Sequence, residues 1–185
     1  MFRSSLFMTF AALVLVLVAA CAPSRHLVNL QPQLPVTDSA NANNIAVAVS
    51  IEDSRSNAII GKRGDAEVSG APPVTEVLQT VVSEALKKRG FVIASTGAEN
   101  AKHLHVTVRA LTFDASTGQW RGRAELSTRA NFGNSDYKSA YSVEKEGKTV
   151  VTIGIKDMEN TINQMLSETL DKMFHDSNLV KFLSQ

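Results

Sequence analysis

Two histidines separated by one residue are the strongest candidate for metal chemistry in this sequence. His103 and His105 alternate with apolar residues, so a β-strand places both imidazoles on one face. A structural zinc site takes four ligands, and a catalytic one takes three and a water. No cysteine and no nearby Asp/Glu-His grouping supplies the remaining ligands, so we predict two solvent-facing histidines and no metal. A metal-dependent module or enzyme that uses these histidines is the alternative function.

Asp53 and Arg55 form a second candidate site, in the loop after the first predicted strand. Such a pair can contact a ligand, but more often it stabilises its own loop. The segment Gly61-Lys62-Arg63-Gly64 has glycines and cations without the spacing of a phosphate-binding loop, so it predicts a turn. No serine lies in a Gly-x-Ser-x-Gly turn. We therefore predict no catalytic residues and a protein that is not an enzyme.

Cys21 is the only cysteine and follows a segment typical of export signals. Arg3 is the only charge among residues 1–20, and residues 10–20 are all Phe, Ala, Leu or Val. A basic start, an apolar core and small residues before a cleavage point define a secretory signal peptide. The uncharged stretch 4–20 is at or below the length that a membrane-spanning helix needs. We predict that residues 1–20 are a cleaved signal peptide.

The run Val18-Ala19-Ala20-Cys21 resembles the lipobox of bacterial lipoproteins. The resemblance implies cleavage before Cys21 and covalent N-acyl and S-diacylglycerol groups on this residue, with no other cofactor. Several acyl chains make membrane attachment stable, whereas one chain holds a protein only marginally. Ala22, in place of Asp, resembles the sorting signal for the outer membrane. The implied location is therefore the periplasmic face of the outer membrane, with membrane lipid as a partner through the anchor.

The charge balance argues against nucleic acid as a partner. The chain has 19 Lys and Arg against 18 Asp and Glu, and cleavage after residue 20 removes one cation, Arg3, so the remaining charges are equal. Nucleic-acid binding needs a basic excess that neutralises phosphates. Residues 21–44 contain Pro23, Pro32 and Pro35 among polar residues, which predicts a lipidated N-terminus and flexible tether. Residues 45–185 suit a single domain.

The hydrophobic pattern of residues 45–185 alternates between strand and helix periods. Residues 45–52 alternate as a strand, and Pro72-Pro73 and Gly90 mark the start and stop of a first helix. Three further strands, a long helix and a short helix capped by Asp176 or Ser177 follow, at 103–110, 121–132, 137–143, 155–174 and after 176. We predict a two-layer α+β domain, in which two main helices pack on one face of a four- to five-stranded, largely antiparallel sheet.

Several segments occur in a characteristic order along the chain. Besides the lipobox, they are a first strand that ends near Asp53-Ser54-Arg55 and a closing helix after three strands. The others are Ile60-Gly61-Lys62-Arg63 and the helix from Val77-Leu78 to Leu86, which runs into Lys88-Arg89-Gly90-Phe91-Val92. In this order they resemble the YajG family of bacterial outer-membrane lipoproteins. The resemblance covers nearly the whole chain and implies an envelope location with no established catalytic activity.

Basic side chains are predicted to collect on the sheet face that the helices leave open. They are Arg109, Arg121, Arg123 and Arg129, together with His103 and His105. This face is a candidate site for an envelope protein, a peptidoglycan carboxylate or a lipid headgroup, although Glu125 and Glu144 are interspersed. We therefore predict a non-enzymatic binding or accessory component of the cell envelope. A structural subunit of an envelope complex, with an exposed apolar sheet edge, is a further alternative.

Overall fold

The computed structural model describes residues 24–34, 42 and 44–185. The predicted signal peptide, Cys21 and part of the predicted tether lie outside these residues. Eight strands form one sheet, and the three described helices are α1 (Val74–Lys88), α2 (Ile155–Phe174) and α3 (Ser177–Ser184). The strands are β1 (Arg25–Asn29), β2 (Ala46–Asp53), β3 (Ile59–Arg63), β4 (Ala66–Ala71), β5 (Val92–Ala94), β6 (Lys102–Ser116), β7 (Gln119–Phe132) and β8 (Ser135–Lys148).

The class is α+β, as predicted, but the sheet is larger and more mixed than expected. Strand β6 pairs along one edge with β2 and then with β3, both parallel, and along its other edge with β7, antiparallel. Strand β8 adds to β7, β5 adds parallel to β2, and β4 and β1 add to β3. The prediction of four or five largely antiparallel strands is therefore wrong. Parallel neighbours such as β2 and β6 are separated by long stretches of chain, so the order of strands along the sequence does not show that they pair.

The predicted tether is shorter than expected, since residues 24–34 belong to the fold. Strand β1 pairs parallel with β4, and Val28 and Leu30 are buried in the core. Prolines and few apolar residues predict a tether here, but Val28 and Leu30 pack into the core, whereas Leu27 is 63% exposed.

The segment 61–64 is predicted as a turn, but the structure places three of its four residues at the end of a strand. Gly61, Lys62 and Arg63 belong to β3, and only Gly64, with φ +60°, lies in the turn to β4. A Cβ at position 61 would lie 2.1 Å from the carbonyl oxygen of Phe113. Glycine is therefore required at position 61 because the backbones of β3 and β6 approach closely there.

A β-bulge at Arg109 shifts the inward face of β6. Leu104, Val106 and Val108 are buried before the bulge, and Leu111 and Phe113 after it. An extra residue in one strand of a pair shifts the alternation by one position. Ala110, predicted on the apolar face, therefore lies on the opposite face, across from Glu125 in β7.

Both main helices have the predicted positions. Helix α1 follows Pro72-Pro73, and Gly90 has φ +87°, the left-handed conformation expected of a helix stop. Helix α2 spans the predicted residues, and Met158, Ile162, Met165, Leu166 and Leu170 are all fully buried. Helix α1 packs on β2 and β5, and α2 packs on β7 and β8. The core is the layer between these helices and the inward side chains of the sheet.

The chain after β1 is held by a polar stripe on helix α2. The amides of Asn29, Gln31 and Gln33 donate to Glu159 Oε2, Asn163 Oδ1 and Ser167 Oγ at 2.7, 2.7 and 2.8 Å. Asn163 Nδ2 also donates to the Asn29 carbonyl at 2.8 Å. These contacts recur at every second residue of the extended chain, which advances about 6.6 Å, and at every fourth residue of the helix, which advances about 6 Å. The two spacings nearly match, so successive amides meet successive side chains.

We expect Asn163→Ala to weaken the attachment of this segment to α2. The substitution removes two hydrogen bonds to the backbone of residues 29 and 31, and each contributes about 1 kcal/mol net. The free energy of unfolding should fall by about 1–2 kcal/mol, measured by urea denaturation with the fluorescence of Trp120, the single tryptophan. Asn160→Ala, at an exposed position of the same helix, is the matched control. Equal losses in the two variants would contradict this role of Asn163.

Candidate functional surfaces

The face of the sheet opposite the helices carries the predicted basic residues. Outward residues of neighbouring strands align in rows: Ser50, His105, Arg129 and Lys138 form one row, and Thr112, Arg123 and Glu144 form another. Arg109 lies at the bulge and donates from Nε to Ser127 Oγ at 3.0 Å. The predicted arginines therefore lie on one surface, which we call the open face.

Carboxylates accompany three of the four arginines on the open face. Arg121 contacts Glu146 at 3.3 Å, and Arg129 contacts Asp136 at 2.9 Å. Arg123 contacts both Glu125 and Glu144. The open face thus carries paired charges of both signs and is not a concentrated basic patch.

One row of the open face alternates in charge across six strands. The register pairs Arg25 in β1 with Glu67 in β4, then Lys62 in β3, Asp114 in β6, Arg121 in β7 and Glu146 in β8. We call these six residues the charge row. Opposite charges on directly paired residues stabilise a sheet, and like charges would destabilise it. A cleft of about 630 Å³ beside Trp120 is lined by four residues of the charge row, Lys62, Asp114, Arg121 and Glu146.

His103 lies across from Asn131 in β7, and His105 lies across from Arg129. Both ring nitrogens of His105 are hydrogen-bonded, Nδ1 to Ser50 Oγ at 2.9 Å and Nε2 to Glu52 Oε2 at 3.0 Å. A metal ligand needs one free ring nitrogen lone pair, and both nitrogens of His105 have protein partners. Within the described residues, no group of three or more His, Cys, Asp or Glu side chains is arranged to hold a metal ion.

Asp53 and Arg55 form a tight pair within their loop. Arg55 donates from Nε and Nη2 to the two carboxylate oxygens at 2.9 and 2.7 Å, and from Nη1 to the Leu111 carbonyl at 3.3 Å. Burial alone would raise the pKa of Asp53, but the hydrogen bonds from Arg55 lower it below its ordinary value. Only 9% of the Arg55 side chain is exposed. This geometry connects the loop to β6 and leaves little of the guanidinium available to a ligand.

Two tyrosines and a carboxylate form a cluster that no sequence pattern indicates. The hydroxyls of Tyr137 and Tyr141 donate to Asp176 Oδ2, and Asp176 Oδ1 accepts from the amides of Asn178 and Leu179. The sequence predicts a helix cap at Asp176 or Ser177, and the structure has it at Asp176; no pattern indicates the two tyrosines. Burial would raise the pKa of Asp176, but the hydrogen bonds from both tyrosines and from the two amides lower it. The ionised carboxylate therefore joins β8 to the start of α3.

The architecture defines an α+β domain with helices on one face of a mixed sheet and an open face on the other. The chain belongs to the family described as uncharacterized lipoprotein, which matches residues 32–184. It is 24% identical to the uncharacterized lipoprotein YajG of Escherichia coli strain K12, over 95% of each chain. The resemblance to the YajG family is therefore confirmed.

Two solved structures share the fold. A protein from Xanthomonas campestris superposes with a TM-score of 0.60 at 12% identity, over 85% of this chain and 97% of the other. A second structure, of an uncharacterized protein, gives a TM-score of 0.52 at 14% identity, over 83% and 99% of the two chains. At such identities the likeness concerns the fold alone.

The family places the chain among membrane-anchored proteins of the cell envelope. Among the residues that the structure describes, no helix combines the length and apolar character needed to cross a membrane.

We expect the stability contribution of Asp176 to depend on pH. Its pKa is lowered in the folded state, so the ionised form stabilises the fold above the ordinary carboxyl pKa of about 4, and this contribution is lost as the pH falls below it. Asp176→Asn keeps a residue that can cap a helix but removes the charge. Urea denaturation should show a loss of about 1–3 kcal/mol near neutral pH and a smaller loss in acid.

The control for this prediction is Asp171→Asn, because the Asp171 carboxylate is 42% exposed and pairs only with His175 nearby. A loss at Asp176 that is the same at neutral and acid pH would contradict the role of the ionised carboxylate.

Proposed function

We propose that this protein is a non-enzymatic binding or accessory lipoprotein of the cell envelope. It is anchored by acyl chains on Cys21 to the outer membrane and faces the periplasm. Membership of a lipoprotein family supports the anchor, and Ala22 after the cysteine supports the choice of membrane. Stable attachment through several acyl chains needs no membrane-spanning helix.

The open face is the observation that carries the binding role. In the part of the chain that the structure describes, the two main helices pack on the buried side of the sheet, and the other side presents aligned rows of polar and charged side chains over strands β6, β7 and β8. A sheet face of this size, with side chains held in register, is a surface on which a partner can align its own charges.

A protein partner fits the open face better than a lipid headgroup or a peptidoglycan carboxylate. Arg121, Arg123 and Arg129 each contact a carboxylate, so an anionic ligand would have to displace an existing partner. A protein surface can offer both signs of charge at the spacing of the rows. Of the partners considered from sequence, an envelope protein is therefore the one we propose.

The edge of the sheet at β8 does not favour the alternative of a structural subunit joined through strands. Among the described strands β8 pairs only with β7, and it carries Lys138, Glu144, Lys145, Glu146 and Lys148. Charged side chains on an edge strand oppose pairing with another strand. Association through the open face is consistent with this edge remaining unpaired.

We expect reversal of charge on the open face to remove a crosslinked partner in cells. A photoreactive amino acid at Thr112, which lies across from Arg123, should yield a defined crosslinked species that mass spectrometry identifies. Arg121→Glu combined with Arg123→Glu places like charges beside Glu146 and Glu144, and this species should disappear.

Lys87→Glu combined with Lys88→Glu is the matched control, since it changes the net charge equally on helix α1, away from the open face. The crosslinked species should persist in this variant. If both double variants retain it, or both lose it, the open face is not the binding surface.

We expect Cys21→Ser to release the protein from the membrane. Without the thiol no diacylglycerol can be attached, and the acyl chains are the proposed means of attachment. Fractionation of cells should find wild-type protein with the outer membrane and the variant outside the membrane fractions. Ala22→Asp, tested in parallel, should keep the protein on a membrane but move it from the outer to the inner one. A Cys21→Ser variant that stays with the outer membrane would contradict the proposed anchor.

A further inference from the structure

One end of the sheet collects the start of β1 and several turns. The six residues of the charge row lie side by side near this end of their strands. The row therefore shows which strands start at this end and which strands finish there. Beyond the row lie the β3–β4 turn at 64–65, the β6–β7 turn at 117–118 and the loop 149–154 after β8. We call this the anchor end of the sheet. The β7–β8 turn at 133–134 lies at the opposite end.

The loop 149–154 exposes apolar side chains at the anchor end. Val150 is 97% exposed, Val151 is 70% exposed, and Ile155 at the start of α2 is 41% exposed. Contiguous apolar side chains in water mark an interaction site. Most other large apolar side chains of the described residues are buried, so this cluster needs an explanation other than packing.

The loop is held on both sides, so its valines project from a supported base. The amide of Thr149 donates to the Gly118 carbonyl at 3.1 Å. On the other side, Arg63 Nε donates to the Ile153 carbonyl at 2.7 Å. The exposure of Val150 and Val151 thus belongs to a loop whose two ends are tied to β-strand turns.

The proposed lipid anchor leaves the fold at the same end. The Ser24 carbonyl accepts a hydrogen bond from the Glu67 amide at 3.0 Å, so the chain is already part of the sheet there. Cys21 precedes Ser24 by three residues, which span at most about 11 Å when fully extended. Acyl chains on Cys21 therefore bring the anchor end close to the bilayer.

The sheet curls, so helix α2, which starts directly after the loop, contacts β1 as well as β7 and β8. Asn29 at the end of β1 contacts Glu159 in α2, and Arg63 in β3 contacts Ile153 of the loop. A single lipid attachment leaves a protein free to tilt. A second contact through the loop would restrict the tilt and set which surfaces face the periplasm.

We propose that the loop 149–154 is a second membrane contact, in which Val150 and Val151 enter the interfacial region of the bilayer that holds the acyl chains. The proposal rests on the anchorage proposed above. Lys148 and Lys156 flank the loop and are exposed, so their ammonium groups can lie among phosphate headgroups while the valines contact acyl chains. The bilayer is the occupant that the position of the anchor favours, since it is already beside this end.

Fluorescence of lipidated protein in vesicles tests this contact. Cys21 is the only cysteine and its sulfur is occupied by lipid, so Val150→Cys can be labelled selectively with the polarity-sensitive dye NBD. Asn134→Cys, exposed in the turn at the opposite end, is the matched control. Each labelled protein is reconstituted in vesicles of phosphatidylethanolamine and phosphatidylglycerol, with and without nitroxide-labelled phospholipid. Flotation of the vesicles measures anchorage independently.

We expect both proteins to float with the vesicles, and only the label at position 150 to shift to shorter wavelength and be quenched several-fold by the nitroxide lipid. If both proteins float and the label at position 150 behaves like the one at position 134, the second contact is overturned and the anchor stands. If neither protein floats, the proposed anchor is overturned, and the second contact with it.

Discussion

The continuity of strand β6 is the constraint on which the rest of the structure depends. Its 15 residues pair with β7 along one edge and with β2 and β3 in turn along the other, so two parts of the sheet share a single strand. The bulge at Arg109 lies between these two parts and shifts the side-chain alternation there. Helix α1 covers the part built on β2, and helix α2 covers β7 and β8. Without one uninterrupted strand, the two helices would cover two separate sheets.

The attachment of residues 29–33 to helix α2 connects the fold to the proposed membrane anchor. The backbone amides of this segment donate hydrogen bonds to Glu159, Asn163 and Ser167 of the helix, and the segment begins with the last residue of β1. The position at which the chain leaves the sheet toward Cys21 is therefore set by the packing of the last long helix. In the proposed arrangement the lipid anchor holds the domain near the bilayer, and the open face lies on the side of the sheet away from the main helices.

The elements that could be predicted from sequence are those with a long, regular hydrophobic pattern. The 20 residues of α2 keep a helical period throughout, and its predicted limits are confirmed. Strands β1 and β4 could not be predicted, because each is short and its apolar residues are too few to show alternation. The shared face of Arg121, Arg123 and Arg129 followed from the period of one strand. Their carboxylate partners did not, because those depend on the register with β8, which no local pattern encodes.

The parallel pairing of β1 with β4 has a mechanical consequence for a protein attached at its N-terminus. A force that pulls the domain away from the membrane acts on Ser24 along the axis of β1. All five residue pairs between Arg25 and Asn29 and the facing strand then bear the load together, in shear, and are not opened one after another. Beyond them, the hydrogen bonds to helix α2 transmit the same load into the core. The junction between the proposed anchor and the domain is thus oriented to resist tension.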